Sequence, residues 1–166
     1  MSSYIQKKST IFILLLLLIV TASLIIQIPH LCLTDTRSGQ VYFSQPLGKS
    51  DAFTMRWIHS VELEPWEEHF IIDQNGQIVL DSTRFKAFGA GVPESAGRKT
   101  EIKNGYIQFL EINQPMPDLV YGISPTAMHT LILKGKEYPL YLQIEADRGV
   151  RITVEDHNLI YQWMHQ

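Results

Sequence analysis

Between Trp57 and Phe70 the chain reads Trp57-Ile58-His59-Ser60-Val61-Glu62-Leu63-Glu64-Pro65-Trp66-Glu67-Glu68-His69-Phe70, its densest run of side chains able to move a proton or hold an ion. An imidazole beside a carboxylate can exchange a proton, orient a ligand or help coordinate a cation. Nucleophilic catalysis is disfavoured. Ser60 directly follows His59, and adjacent strand residues face opposite ways, so His59 is badly placed to take the Ser60 proton. The sequence has no Gly-x-Ser-x-Gly elbow. His59, Glu62, Glu68 and His69 lack the spacing of a zinc helix or knuckle. The expectation is therefore a protein that is not an enzyme, with no metal and no cofactor. A second feature is Gly89-Ala90-Gly91-Val92-Pro93, a turn that could aim backbone N–H groups at an anion. It lacks the Gly-x-Gly-x-x-Gly spacing and the lysine of a phosphate loop.

Strand periodicity positions these residues. Phe53, Met55, Trp57 and His59 share one face, and Thr54, Arg56 and Ser60 the other. On the next strand Phe70 and Ile72 mark the apolar face, and the alternation puts Glu68 with them. If Leu63-Glu64 is the tip of the connection, antiparallel pairing sets His59 opposite Glu68. A one-residue slip would set Ser60 there instead. Unpaired, either inward charge would cost several kcal/mol, so the two are expected to satisfy each other. The pair then either fixes register or forms a ligand- or partner-binding site at the mouth of the β-structure.

The rest of the chain after Pro29 breaks into short apolar runs punctuated by Gly, Pro, Asn and Asp, which predicts an all-β domain. Strands are expected at Leu31–Asp35, Gln40–Ser44, Phe53–Ser60, Glu68–Asp73, Gln77–Phe85, Tyr106–Ile112, His129–Leu133, Tyr138–Leu142 and Val150–Val154. Their spacing suits an antiparallel β-sandwich or partly closed barrel. Gln74-Asn75-Gly76 signals a hairpin of type I′, and Lys134-Gly135 another tight turn. Gly89–Arg98 and Asn113–Pro125, with Pro93, Pro115, Pro117 and Pro125, are expected to be surface loops.

Ahead of this domain, Ile11–Ile28 is an 18-residue stretch without charge, about long enough as a helix to cross a hydrocarbon core. It predicts one N-terminal transmembrane helix, dividing the chain into an anchor (1–29) and an extracytoplasmic β-domain (30–166). The rival is a leader cleaved near Val20-Thr21-Ala22, but Leu24-Ile25-Ile26 continues the apolar run past that point. Lys7 and Lys8 precede the run, which predicts a single pass of the cytoplasmic membrane with the N-terminus inside and the domain outside. The 166 residues are 45% hydrophobic and 19% charged, a globular composition that excludes a disordered tail. Beyond residue 28 stand 12 basic and 17 acidic residues, a formal −5, which argues against nucleic acid as a partner. Cys32 is the single cysteine, so no internal disulfide can form. The residues before it, Pro29-His30-Leu31, do not suit lipidation.

Three strings taken together, Arg56-Trp57-Ile58-His59-Ser60-Val61-Glu62, Pro65-Trp66-Glu67-Glu68 and Arg84-Phe85-Lys86-Ala87-Phe88-Gly89-Ala90-Gly91-Val92-Pro93, resemble the family called domain of unknown function 1850. The resemblance covers roughly Leu31 to Val154. It implies an association with TAXI-type TRAP transporters, which import small organic anions, and so a TRAP membrane subunit or its solute-binding protein as partner. It also marks His59, Ser60, Glu68, Gly89, Ala90 and Gly91 as the ligand- or partner-binding site. The expected function is that of a membrane-anchored accessory or regulatory protein of such an uptake system. The alternatives are an independent small-ligand or metal-binding module, and a membrane-bound hydrolase using His59 and Glu68.

Overall fold

The computed structural model describes residues 2–86, 95–158 and 161, the side chains of 2–7 and 9 excepted. In chain order it contains α1 (Ser2–Ile25), β1 (Gln27–Asp35), β2 (Val41–Pro46), β3 (Ala52–Ile58), β4 (Pro65–Ile72), β5 (Ile78–Phe85), β6 (Lys99–Lys103), β7 (Tyr106–Leu110), β8 (Gln114–Pro115), β9 (Leu119–Ile123), β10 (Thr130–Leu133), β11 (Lys136–Pro139) and β12 (Arg148–Asn158). Leu140–Leu142 forms a short 3-10 turn.

The strands form two antiparallel sheets. One runs β2-β1-β12-β9, and the other β11-β10-β3-β4-β5-β7-β6 with β8 beside β5. Neither closes into a barrel among the described residues, so of the two expected architectures the barrel is set aside. Alternation builds the shared core. Leu31 and Leu33 of β1, Ile123 of β9 and Val150 and Ile152 of β12 pack with Phe53, Met55, Phe70, Leu131 and Leu133 of the second sheet. A smaller cluster, Trp66, Phe85, Ile107 and Phe109, lies along β4, β5 and β7.

The transmembrane expectation is corrected. Among the described residues no helix is long and apolar enough to cross a membrane. The physical reason lies in how the apolar run is divided: α1 ends at Ile25, while Gln27 and Ile28 already belong to β1. Ile11–Ile25 as a helix spans about 22 Å, short of the roughly 30 Å of a hydrocarbon core. The single-pass topology derived from that run falls with it.

The Asn113–Pro125 stretch is not an irregular loop but carries β8 and β9. Its prolines sit where they cost little: Pro115 lies on the two-residue β8, and Pro117 and Pro125 flank β9. Among the described residues, type I′ turns are at Asn104-Gly105 and Lys134-Gly135, where both residues have positive φ and the flanking residues pair directly. At Asn75-Gly76 only Gly76 has positive φ. There the Asp73 carboxylate accepts the N–H groups of Asn75 and Gln77, each at 2.8 Å, and sets the turn instead.

Candidate functional site

Strands β3 and β4 pair with Met55 opposite Glu68, Trp57 opposite Trp66 and Ile58 opposite Pro65. The connection therefore turns about Val61-Glu62, closed by the His59 N–H donating to the Glu64 carbonyl and the Leu63 N–H to the His59 carbonyl, both at 2.9 Å. His59 does not face Glu68. Sequence hid this register because Leu63, at φ 55, holds the left-handed position that a glycine or asparagine would have advertised. The displacement is an even number of residues, so the faces survive: Glu68 does lie on the inner face with Trp66 and Phe70.

His59 instead stacks on Trp66, with ring centroids 5.5 Å apart, and its buried Nδ1 lies against the Glu62 carboxylate without hydrogen-bond geometry. Trp66 stacks in turn on Phe85 at 4.6 Å and on Trp57 at 5.9 Å. The Trp66 Nε1–H is buried with no acceptor among the described residues. Ser60 is exposed on the turn and contributes nothing to this cluster. Gly89, Ala90 and Gly91 lie outside the described residues.

Glu68 reaches across to the other sheet, where the Tyr121 hydroxyl of β9 donates to it in a short hydrogen bond. Trp57 lies against Tyr121 at 5.9 Å and against His129 at 6.2 Å. His129 Nδ1 accepts the Ser124 N–H at 3.2 Å, which places the proton of the neutral ring on Nε2. Burial pushes the Glu68 carboxyl above its ordinary value, with the Tyr121 hydrogen bond acting the other way. The Tyr121 phenol is driven far above the usual range, first by burial and then by the Glu68 charge, so the proton stays on Tyr121. Burial likewise lowers His129, favouring the neutral imidazole.

On the outer face of the second sheet, Glu67 is buried, accepts a hydrogen bond from Arg84 Nε at 2.8 Å and is in ion-pair contact with a terminal nitrogen of the same guanidinium at 2.7 Å. His69 shares a hydrogen bond with the Thr54 hydroxyl at 2.7 Å there. The four residues weighed as a metal set are thus split, His59 and Glu62 on the β3–β4 turn and Glu68 and His69 on opposite faces of the middle of β4. Tyr121 and His129 are the members that sequence reasoning missed. The signal for Tyr121 was the alternation Leu119, Tyr121, Ile123, overridden by the prolines on either side.

The opposite end of β4 opens a separate cleft of about 710 Å³ between the sheets, lined by Pro29, Leu47, Lys49, Asn75, Gly76 and Val154 among others.

A family model described as "Domain of unknown function (DUF1850)" matches residues 53–140, more than half of the chain. The chain belongs to the DUF1850 family. No curated protein and no solved structure matches it. The DUF1850 match runs from β3 to β11, so it contains Trp57, His59, Glu68, Tyr121 and His129 and leaves β1 and β12 outside.

Proposed function

We propose that this DUF1850 protein is a non-enzymatic accessory component of a TRAP-type organic-anion uptake system, and that it docks a protein subunit, either the membrane subunit or the solute-binding protein. The observation that carries this reading is the β3–β4 turn. Val61 and Leu63 are 62% and 73% exposed there, on a connection braced by two backbone hydrogen bonds. The Ile58 N–H donates to the Ala127 carbonyl at 2.7 Å, which ties the exposed Met128 to the same end. Apolar side chains held out on a rigid turn suit a protein groove, because little conformational freedom remains to be lost on docking. The transported anion itself is a poor ligand for this domain. The inward Glu68 and the formal −5 of the chain beyond residue 28 would both repel it.

The hydrolase alternative loses its geometry, since His59 and Glu68 stand apart with the Trp57–Trp66 stack between them. The small-ligand alternative draws on the cleft of about 710 Å³, a volume within the ordinary range of about 300–1,000 Å³ for ligand sites. A photocrosslinker placed at Leu63 of the full chain, in cells producing the transporter, distinguishes these readings. The expected product joins this chain to a TRAP subunit and is lost with Val61→Asp. Absence of that product, or ester or peptide hydrolysis by the purified chain that His59→Ala abolishes, would overturn the docking reading.

A further inference from the structure

A second group of reactive side chains lies on the outer face of the four-stranded sheet, away from the β3–β4 turn. Cys32 of β1 stands opposite Thr153 of β12 and Ser44 of β2, so all three side chains share that face, and alternation adds Glu155 and His157. The Cys32 Sγ is 3.5 Å from the His157 Nε2, and the Glu155 carboxylate lies 3.6 Å from the same nitrogen. The three ligand atoms all lie within 4.8 Å of one another.

We propose that Cys32, Glu155 and His157 form a binding site for a divalent zinc-class ion, with one coordination position left open. The two edges that meet at His157 Nε2, 3.5 and 3.6 Å, match that ion. Zinc binds sulfur at about 2.3 Å and imidazole nitrogen or carboxylate oxygen at about 2.0–2.1 Å, so the edges of a tetrahedral cage measure about 3.3–3.6 Å. One thiolate, one imidazole and one carboxylate form a donor set of intermediate softness, which suits zinc over magnesium or calcium.

The surroundings orient each donor. The Thr153 hydroxyl donates to Glu155 Oε1 at 2.8 Å, leaving Oε2 turned toward His157. The His157 ring stacks on Tyr161 with centroids 3.7 Å apart and meets the buried His30 ring edge-on at 5.1 Å. The Ser44 Oγ lies 3.5 Å from Cys32 Sγ, where its hydroxyl can donate to a thiolate. Cys32 is 1% exposed while the Glu155 side chain is 47% exposed, so among the described residues the carboxylate is the exposed member of the three.

The test uses the untagged full chain, stripped of metal and held in mild detergent to mask the apolar side chains of α1. Co²⁺ added as the spectroscopic probe should bind one equivalent per chain, with a thiolate-to-Co²⁺ charge-transfer band and the intense visible bands of a four-coordinate ion. Zn²⁺ should displace it. Cys32→Ser should remove the charge-transfer band, and Glu155→Gln, a change at a half-exposed position, should weaken Zn²⁺ binding about 10-fold or more. Asp156→Asn, one residue away on the opposite face of β12, should leave binding unchanged. Failure to bind a stoichiometric equivalent, a band that survives Cys32→Ser, or equal losses from Glu155→Gln and Asp156→Asn would overturn the site.

Discussion

Glu68 gives stability a pH dependence whose sign follows from its environment. Its ordinary value is 4.5, and burial raises it in the folded state despite the Tyr121 hydrogen bond. Between 4.5 and the raised folded value the native chain holds more protons than the unfolded one, so this group's contribution falls as pH rises through that window and is level above it. Asp35 has the opposite sign. The backbone N–H of Ser38 holds it well below the carboxylate range, so its contribution is lost as pH falls through its folded value. Subtracting the stability profile of Glu68→Gln from that of the parent isolates the first effect, and a difference that rises with pH would contradict it. Tyr121→Phe leaves the inward carboxylate without its donor and should cost about 1–3 kcal/mol by denaturant unfolding. A double-mutant cycle for Glu68 and Tyr121 should then show coupling of about 0.5–3 kcal/mol. The equivalent cycle for His59 and Glu68 should be additive within about 0.5 kcal/mol, because four strand residues set them about 13 Å apart.

At the scale of elements, turn chemistry decides where strands stop and which residues meet. Gly97 has φ 72, and a Cβ there would stand 2.3 Å from the Leu110 carbonyl oxygen. Gly105 has φ 77 with nothing within 4 Å of such a Cβ. Gly105→Ala should therefore cost about 1 kcal/mol for the backbone conformation alone. Gly97→Ala must also move the β7 end and should cost distinctly more, read as the larger fall in melting midpoint; equal losses would show that the close approach is relieved without cost. The same contrast explains how far the sequence could be followed. Alternation placed Phe53, Met55 and Trp57 inward with Glu68 and Phe70, because period two depends only on parity. Register depends on the turn, and Leu63 in a left-handed conformation gives no compositional sign of itself, so the partner of Glu68 was misplaced by an even step. Prolines around β9 mask Tyr121, and the Asn104-Gly105 hairpin carries no periodic signal because β6, between its charged residues, has no apolar face. The Cys32, Glu155 and His157 grouping spans positions remote in the chain, which only the β1–β12 pairing brings together.

Across the whole molecule, α1 and the two sheets rest on different physics. The core is built from both sheets, with Phe70 fully buried and stacked on Phe53 at 4.9 Å, and neither core cluster includes a residue of α1. Phe70→Ala should accordingly cost about 3–5 kcal/mol. By contrast, Ile11 to Val20 present their side chains outward, and α1 meets the sheets chiefly at β12. So extended an apolar surface on a chain in water promotes association. A chain shortened to begin at Ile26 retains all of β1 and every core residue, and so should unfold cooperatively within about 4 °C of the full chain, the shift expected for roughly 1 kcal/mol in a domain of this size. Without detergent the full chain should sediment as larger species while the shortened one remains monomeric. A large fall in midpoint would mean that α1 braces β12 and the Cys32 face beside it, and equal sedimentation of the two forms would mean that the outward side chains of α1 do not drive association.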